Sequence, residues 1–297
     1  LLNQEYDAPS IRPIAYKMDQ LQKEYKGMAK LGAGTPSAVL GQLQYRGAVN
    51  RNFIAGIEVD HLNGNNKKLD NQSFRETAGE LQGTYYAKQG FQADANVGID
   101  SRDYYYYAYN FIDTTQDLTV DKEDALQRYT KFDVGASIKN AERTVLDFNY
   151  GMGFDFYRLT DNYSSSEIGF KLNLKAQKWF KEKSYFNVDL ETDLTRFEDT
   201  IIQNLHNFFI KPAFLFQGAV FNAKVGASLG VSEDVFFTFP DVTVSYEILD
   251  FLTVFAGADG TLYKNNLNNT STYNPFINTT FNIQNTSIYN FYAGVKG

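Results

Sequence analysis

From residue 145 to 158 apolar and polar side chains take turns. Leu146, Phe148, Tyr150, Met152, Phe154 and Phe156 stand at every second position, with Asp147, Asn149, Gly151, Gly153 and Asp155 between them. Successive side chains of a strand point to opposite faces, so this segment predicts a strand with one greasy face and one small, polar face. The pattern returns in Ile168, Phe170, Leu172, Leu174 and Ala176 against Glu167, Gly169, Lys171, Asn173, Lys175 and Gln177. It returns again in Phe186, Val188, Leu190 and Leu194 against Asn187, Asp189, Glu191, Asp193 and Thr195. Each run lasts about ten residues, the length a tilted strand needs to cross the hydrocarbon of a bilayer.

Weaker versions cover 91–100, 131–139 and 221–231, and further strands are read near 27–34, 38–47, 52–61, 74–88, 206–217, 241–248, 252–263 and 289–297. The total is about fourteen strands, with no segment that reads as a long apolar helix. A soluble β-sandwich also alternates, but its strands average about five or six residues. The polar face here stays rich in Gly, Asn, Asp and Lys from one strand to the next, as a wet lumen requires. The expected fold is all-β: a transmembrane antiparallel up-and-down β-barrel, with the 14 or so strands forming the whole wall or part of a larger one.

Composition sharpens this picture. Aromatics are 16% of the 297 residues, with 21 Tyr, 25 Phe and one Trp, yet the mean hydropathy is only −0.39. Alternation produces that combination, because apolar and polar residues cancel in any window average. Six prolines are too few to protect sheet edges, whereas closure of a barrel removes edges altogether. The chain has no cysteine, which excludes disulfides, thiolate metal sites and thiol nucleophiles. A net charge of −7 without any basic stripe argues against nucleic acid.

Short connections are expected at 35–37, 140–144, 180–183 and 218–219, and longer polar loops at 62–73, 110–128, 158–166, 196–205, 232–240 and 264–288. Short turns belong on the periplasmic side of such a barrel. The run Tyr104, Tyr105, Tyr106 and Tyr107 suits an aromatic girdle at one membrane interface, with a ligand-stacking platform as the alternative; Trp179 and Phe180 suit the opposite girdle. Residues 1–26 do not alternate and read as a periplasmic arm or short helix ahead of a barrel over 27–297.

Several segments resemble one family. Ile11-Arg12-Pro13-Ile14-Ala15-Tyr16, the strand Met28–Gly34, the pair Pro240–Asp250 and Phe251–Gly260, and the closing Asn290-Phe291-Tyr292-Ala293-Gly294-Val295-Lys296-Gly297 are similar to TonB-dependent-receptor-like outer-membrane proteins of Bacteroidota. The resemblance implies a barrel of the bacterial outer membrane. Strands that begin by about residue 27 leave no room for the family's plug domain, so a plugless relative is expected. Family barrels end on an aromatic strand, whereas this sequence stops at Lys296-Gly297, which leads us to expect a longer barrel.

On the polar faces, Asp147 and Asp155, then Lys171 and Lys175, then Asp189, Glu191 and Asp193 set acid, base and acid on three successive lumen walls. Such charges either pair across strands and stiffen the wall or form a charged constriction that selects solutes. His61 and His206 are the only imidazoles, and neither is joined locally to a nucleophile, so no enzyme, metal site or cofactor is expected. Two functions follow: a channel or transporter for small solutes, or an accessory barrel of a larger outer-membrane complex. Expected partners are outer-membrane lipid, lipopolysaccharide, and other outer-membrane or periplasmic proteins.

Overall fold

A computed structural model describes residues 25–66, 68–107, 120–140, 144–180 and 183–297. Most of the expected arm therefore lies outside the described residues. Fourteen strands follow one another: β1 (Gly27–Gly34), β2 (Ala38–Ala48), β3 (Phe53–Asn65), β4 (Ser73–Tyr86), β5 (Phe91–Tyr105), β6 (Leu126–Asn140) and β7 (Phe148–Asp161). The second half comprises β8 (Ser166–Phe180), β9 (Ser184–Glu198), β10 (Ile202–Gln217), β11 (Phe221–Ser232), β12 (Val235–Leu249), β13 (Leu252–Asn265) and β14 (Gln284–Lys296), with one short helix, α1 (Leu267–Tyr273). Every strand pairs antiparallel with its chain neighbours in an unbroken β1-to-β14 order. This is the up-and-down wall of a membrane barrel.

Register carries the alternation across the wall. Leu81, Val97, Val134 and Phe156 stand side by side on β4 to β7, and the next outward row is Gly79, Ile99, Phe132 and Arg158. Many of these apolar side chains are exposed, as a lipid-facing surface must be. One register step away β3 to β6 present Glu58, Glu80, Gly98 and Asp133 to the interior. A slip of one residue would send every charge into lipid, so the pattern specifies the register strongly.

The strands are longer than the alternation alone predicts. Segments 158–166, 196–205 and 232–240 are mostly strand, and their connections shrink to 162–165, 199–201 and 233–234. Positive φ at Ser164, Glu233 and Asp234 lets these turns close tightly. The turn 35–37 also differs from expectation. It shares an end with the long connections 106–125 and 266–283, while 49–52, 87–90, 141–147, 181–183, 218–220 and 250–251 make the short-turn end. The long-connection end is the one expected to face outward from the cell.

At β12 and β13 the wall opens. Their ladder runs from Leu249 and Leu252 up to Asp241 and Asp259 and stops there, at Pro240, which has no N–H to offer. The β13–β14 ladder continues past this point to Asn265 and Gln284. Leu262 and Lys264 share a strand face with the outward Val254, Ala256 and Ala258. Yet Leu262 packs with Phe209 and Phe239 on the inner wall, and Lys264 bonds Asp193. The top of this hairpin therefore leaves the wall and lies inside the lumen. Gly260 permits the crossing, since a Cβ there would meet a ring carbon of Phe239 at 2.7 Å.

Candidate functional site

The lumen is built from the inward positions. On β8 to β10, Glu191 sits between two lysines: Lys171 Nζ lies 2.9 Å from Oε1 and Lys211 Nζ 2.7 Å from Oε2. Lys264, arriving from the folded-in hairpin, donates to Asp193 at 2.6 Å and to Thr195 at 2.8 Å. Lys224 and Asp241 pair at 2.6 Å on β11 and β12. The wall around β3 to β5 is different. Glu58 and Asp60 accept from Gln44 at 2.5 Å and Gln42 at 2.9 Å, and Asp94 accepts from Thr84 and Gln92. Those carboxylates are held by neutral amides and a hydroxyl, so their charge remains.

Of the charged residues read from sequence, the structure brings Lys171, Glu191 and Asp193 into ion pairs. The partners Lys211 and Lys264 come from strands that the three-wall reading did not include. Lys175 and Asp189 are cross-strand neighbours, and Asp155 lies beside Lys171, but none of these three completes an ion pair among the described residues. Asp147 belongs to the turn before β7, with φ of 56° and its carbonyl accepting from the Trp179 N–H at 2.9 Å.

The connection 266–283 crosses the lumen at the long-connection end. Glu167 on β8 is fully buried and receives four hydrogen bonds: from Tyr157 Oη at 2.7 Å, Asn266 Nδ2 at 2.8 Å, Leu267 N at 2.6 Å and Asn268 N at 3.2 Å. Three of the four come from the loop, at the start of α1. The loop then reaches β5, where Arg102 donates to Thr272 at 3.1 Å, and β6, where Tyr129 donates to the Pro275 carbonyl at 3.1 Å. It returns past β10, where Gln203 bonds both Phe281 O and Ile283 N. Leu267 and Ile283 complete an apolar cluster with Tyr129, Leu159, Phe197 and Leu205.

A sequence signal for this socket existed. Leu159 and Phe197 are apolar at positions whose phase is otherwise mostly polar and inward, and Leu205 shares the inward phase of β10. An apolar side chain facing a wet lumen needs a cover, and the loop supplies it. What the alternation could not show was which segment covers them.

The tyrosine run divides. Tyr104 points inward, donates to Glu76 at 2.6 Å and meets Phe276 of the loop edge-on at 6.3 Å; Tyr106 meets the same ring at 4.9 Å. Tyr105 takes the outward phase, with the Lys122 ammonium 4.8 Å from its ring centre. Tyr107 is exposed. Between this group and the β1–β2 turn lies a cavity of about 590 Å³, lined by Phe74, Glu76, Tyr104, Tyr105, Tyr107 and Phe276, with Asn65, Asn66 and Gln72. At the short-turn end Trp179 takes the inward phase against Tyr185 at 4.6 Å, and Phe180 the outward one. His61 faces outward, 2.9 Å from the Thr77 hydroxyl, and His206 lies on the outward phase of β10 opposite Leu194. Among the described residues no group of His, Asp and Glu side chains is arranged to hold a metal ion.

No protein-family model matches this sequence, and no curated protein does. Solved structures do. The chain is similar to the siderophore receptor PiuA from Acinetobacter baumannii, with a TM-score of 0.63 at 9% identity over 92% of this chain and 55% of that one. The ferripyoverdine receptor of the Pseudomonas aeruginosa outer membrane, bound to ferripyoverdine, matches with TM-score 0.62 at 9% identity over 93% and 46%. FauA, the alcaligin outer-membrane receptor from Bordetella pertussis, matches with TM-score 0.62 at 9% identity over 91% and 48%. The chain has the fold of an outer-membrane receptor barrel. It spans about half the length of these structures, and at such identities the likeness is one of fold. It agrees with the TonB-dependent-receptor-like barrel, and with the bacterial outer membrane, that the sequence resemblance implied.

Proposed function

We propose that the chain forms a transporter barrel for small solutes, in which passage depends on displacing the 266–283 loop. The observation that carries this reading is a lumen with charged walls that is crossed at one end by a segment whose start is held by one buried carboxylate, Glu167. A charged interior suits the passage of polar solutes. The aromatic cavity beside Phe276 gives an arriving solute a place to dock against the loop itself. The receptor barrels that share the fold support uptake, and the loop argues for gated rather than free passage.

The crossed lumen also favours a second reading, an accessory barrel whose interior never conducts and whose flank meets other outer-membrane or periplasmic proteins. Conductance of the full chain in planar bilayers separates the two. The wild type should show rare, small openings, and the variant E167Q should show frequent stepwise current as the loop leaves its socket. A silent bilayer for both, with the variant folded by heat-modifiable gel mobility, would sink the transporter reading.

A further inference from the structure

The outward face at the long-connection end carries a feature that solute passage does not use. Asp103 on β5 is 1% exposed although its phase points out of the barrel. It is covered by two arginines from the flanking strands, its register partners Arg75 on β4 and Arg128 on β6. Arg75 Nη2 bonds Asp103 Oδ2, while Arg128 donates through Nε to Oδ1 at 2.7 Å and through Nη2 to Oδ2 at 3.1 Å. Both guanidinium groups thus converge on one carboxylate oxygen. The cluster keeps a net positive charge, and the two arginine side chains remain 53% and 42% exposed. Each guanidinium has five N–H donors, so most of them are left over from the carboxylate, on side chains that remain exposed.

Height on the wall identifies what lies opposite. Two residues nearer the membrane, Thr77, Ser101, Thr130, Thr160 and Ser166 form a row of hydroxyls across β4 to β8, ending the apolar band. The arginine row stands four residues above Ile99 and Phe132. At about 3.3 Å per residue and a tilt near 40°, that is roughly 10 Å higher, the level of lipid headgroups. On the same outward phase Arg158 is exposed in the lower row of Ile99 and Phe132, and Arg196, further along that row, pairs with Glu198 at 3.8 Å. At the short-turn end the described outward positions of the same strands carry only Lys178.

We propose that Arg75 and Arg128, held together by Asp103, form a binding site for the phosphate of an outer-leaflet glycolipid headgroup. Two forked guanidinium groups on one anchor match the oxygens of a phosphate, and a buried carboxylate between them preorganises both forks while cancelling only one charge. The asymmetry between the two ends then anchors the barrel in the leaflet that bears phosphorylated glycolipid.

The test is native mass spectrometry of the full chain in neutral detergent doped with diphosphorylated lipid A. Bound lipid should survive on the wild type and fall at least about tenfold in R75Q/D103N/R128Q, which removes all three charges and leaves no buried carboxylate unpaired. R75K/R128K should bind at an intermediate level, since charge remains and the forks are lost. Lipid A stripped of phosphate should bind no better to the wild type than to the triple variant. Equal binding of intact lipid A by the wild type and a folded triple variant would overturn the site. Full displacement of the lipid by an equal concentration of inorganic phosphate would overturn the headgroup as its ligand.

Discussion

Two walls of one lumen, β3 to β5 and β8 to β10, come from the same alternating pattern and end in different electrostatic states. On the first, Glu58, Asp60 and Asp94 lean on Gln44, Gln42, Gln92 and Thr84. On the second, Glu191 is gripped by Lys171 and Lys211, and Asp193 by Lys264. A neutral partner satisfies a carboxylate's lone pairs and leaves its charge facing the water; an ammonium cancels it. The lumen is consequently acidic on one side and compensated on the other. A cation crossing it feels a transverse bias that no count of charges over the whole chain reveals.

The largest way to break the second wall is at Glu167. E167A should leave the Leu267 and Asn268 N–H groups without their acceptor and the Asn266 amide with only Tyr157 Oη, loosening the loop by about 2–4 kcal/mol. Hydrogen exchange should show protection lost at the start of α1 while the β8–β9 ladder stays protected. A variant with unchanged exchange there would mean that the apolar cluster alone seats the loop.

A smaller effect is expected from E191Q. It leaves Lys171 and Lys211 facing each other without their shared anion, and both lysines are partly exposed, so solvent screening limits the cost to about 1 kcal/mol. Thermal melting in low and high salt measures it: the deficit should shrink as salt rises. A salt-independent deficit would mean that packing, not charge, links these strands.

The mildest change is Q44M on the first wall. Glu58 loses a neutral donor but keeps access to lumen water, so stability should move by about 0.5 kcal/mol and salt should not alter the difference. A loss as large as that of E191Q would erase the contrast between the walls.

How far the sequence reaches can be judged from particular residues. Phe148 to Phe156 and Phe186 to Leu194 announce their strands, because a period of two places every second side chain in lipid. The face of Lys171, Glu191 and Asp193 follows from the same phase. Their partners do not: Lys264 lies 71 residues from Asp193, and only the inward fold of the β13–β14 hairpin joins them. The tyrosine run shows a different limit. Adjacent residues of one strand must face opposite ways, so the phase could separate Tyr104 from Tyr105, but the ring of Phe276 that receives Tyr104 and Tyr106 comes from a polar loop without alternation.

By itself the sequence determined strands, their two faces and the membrane they suit, because alternation is local and hydrocarbon admits only one of the two faces. Tertiary structure alone decided the rest. The inward apolar residues Leu159, Phe197 and Leu205 became a socket, Glu167 became a pin, and Arg75, Asp103 and Arg128 became one cluster, since strand register and the crossing loop bring together residues that no local period relates.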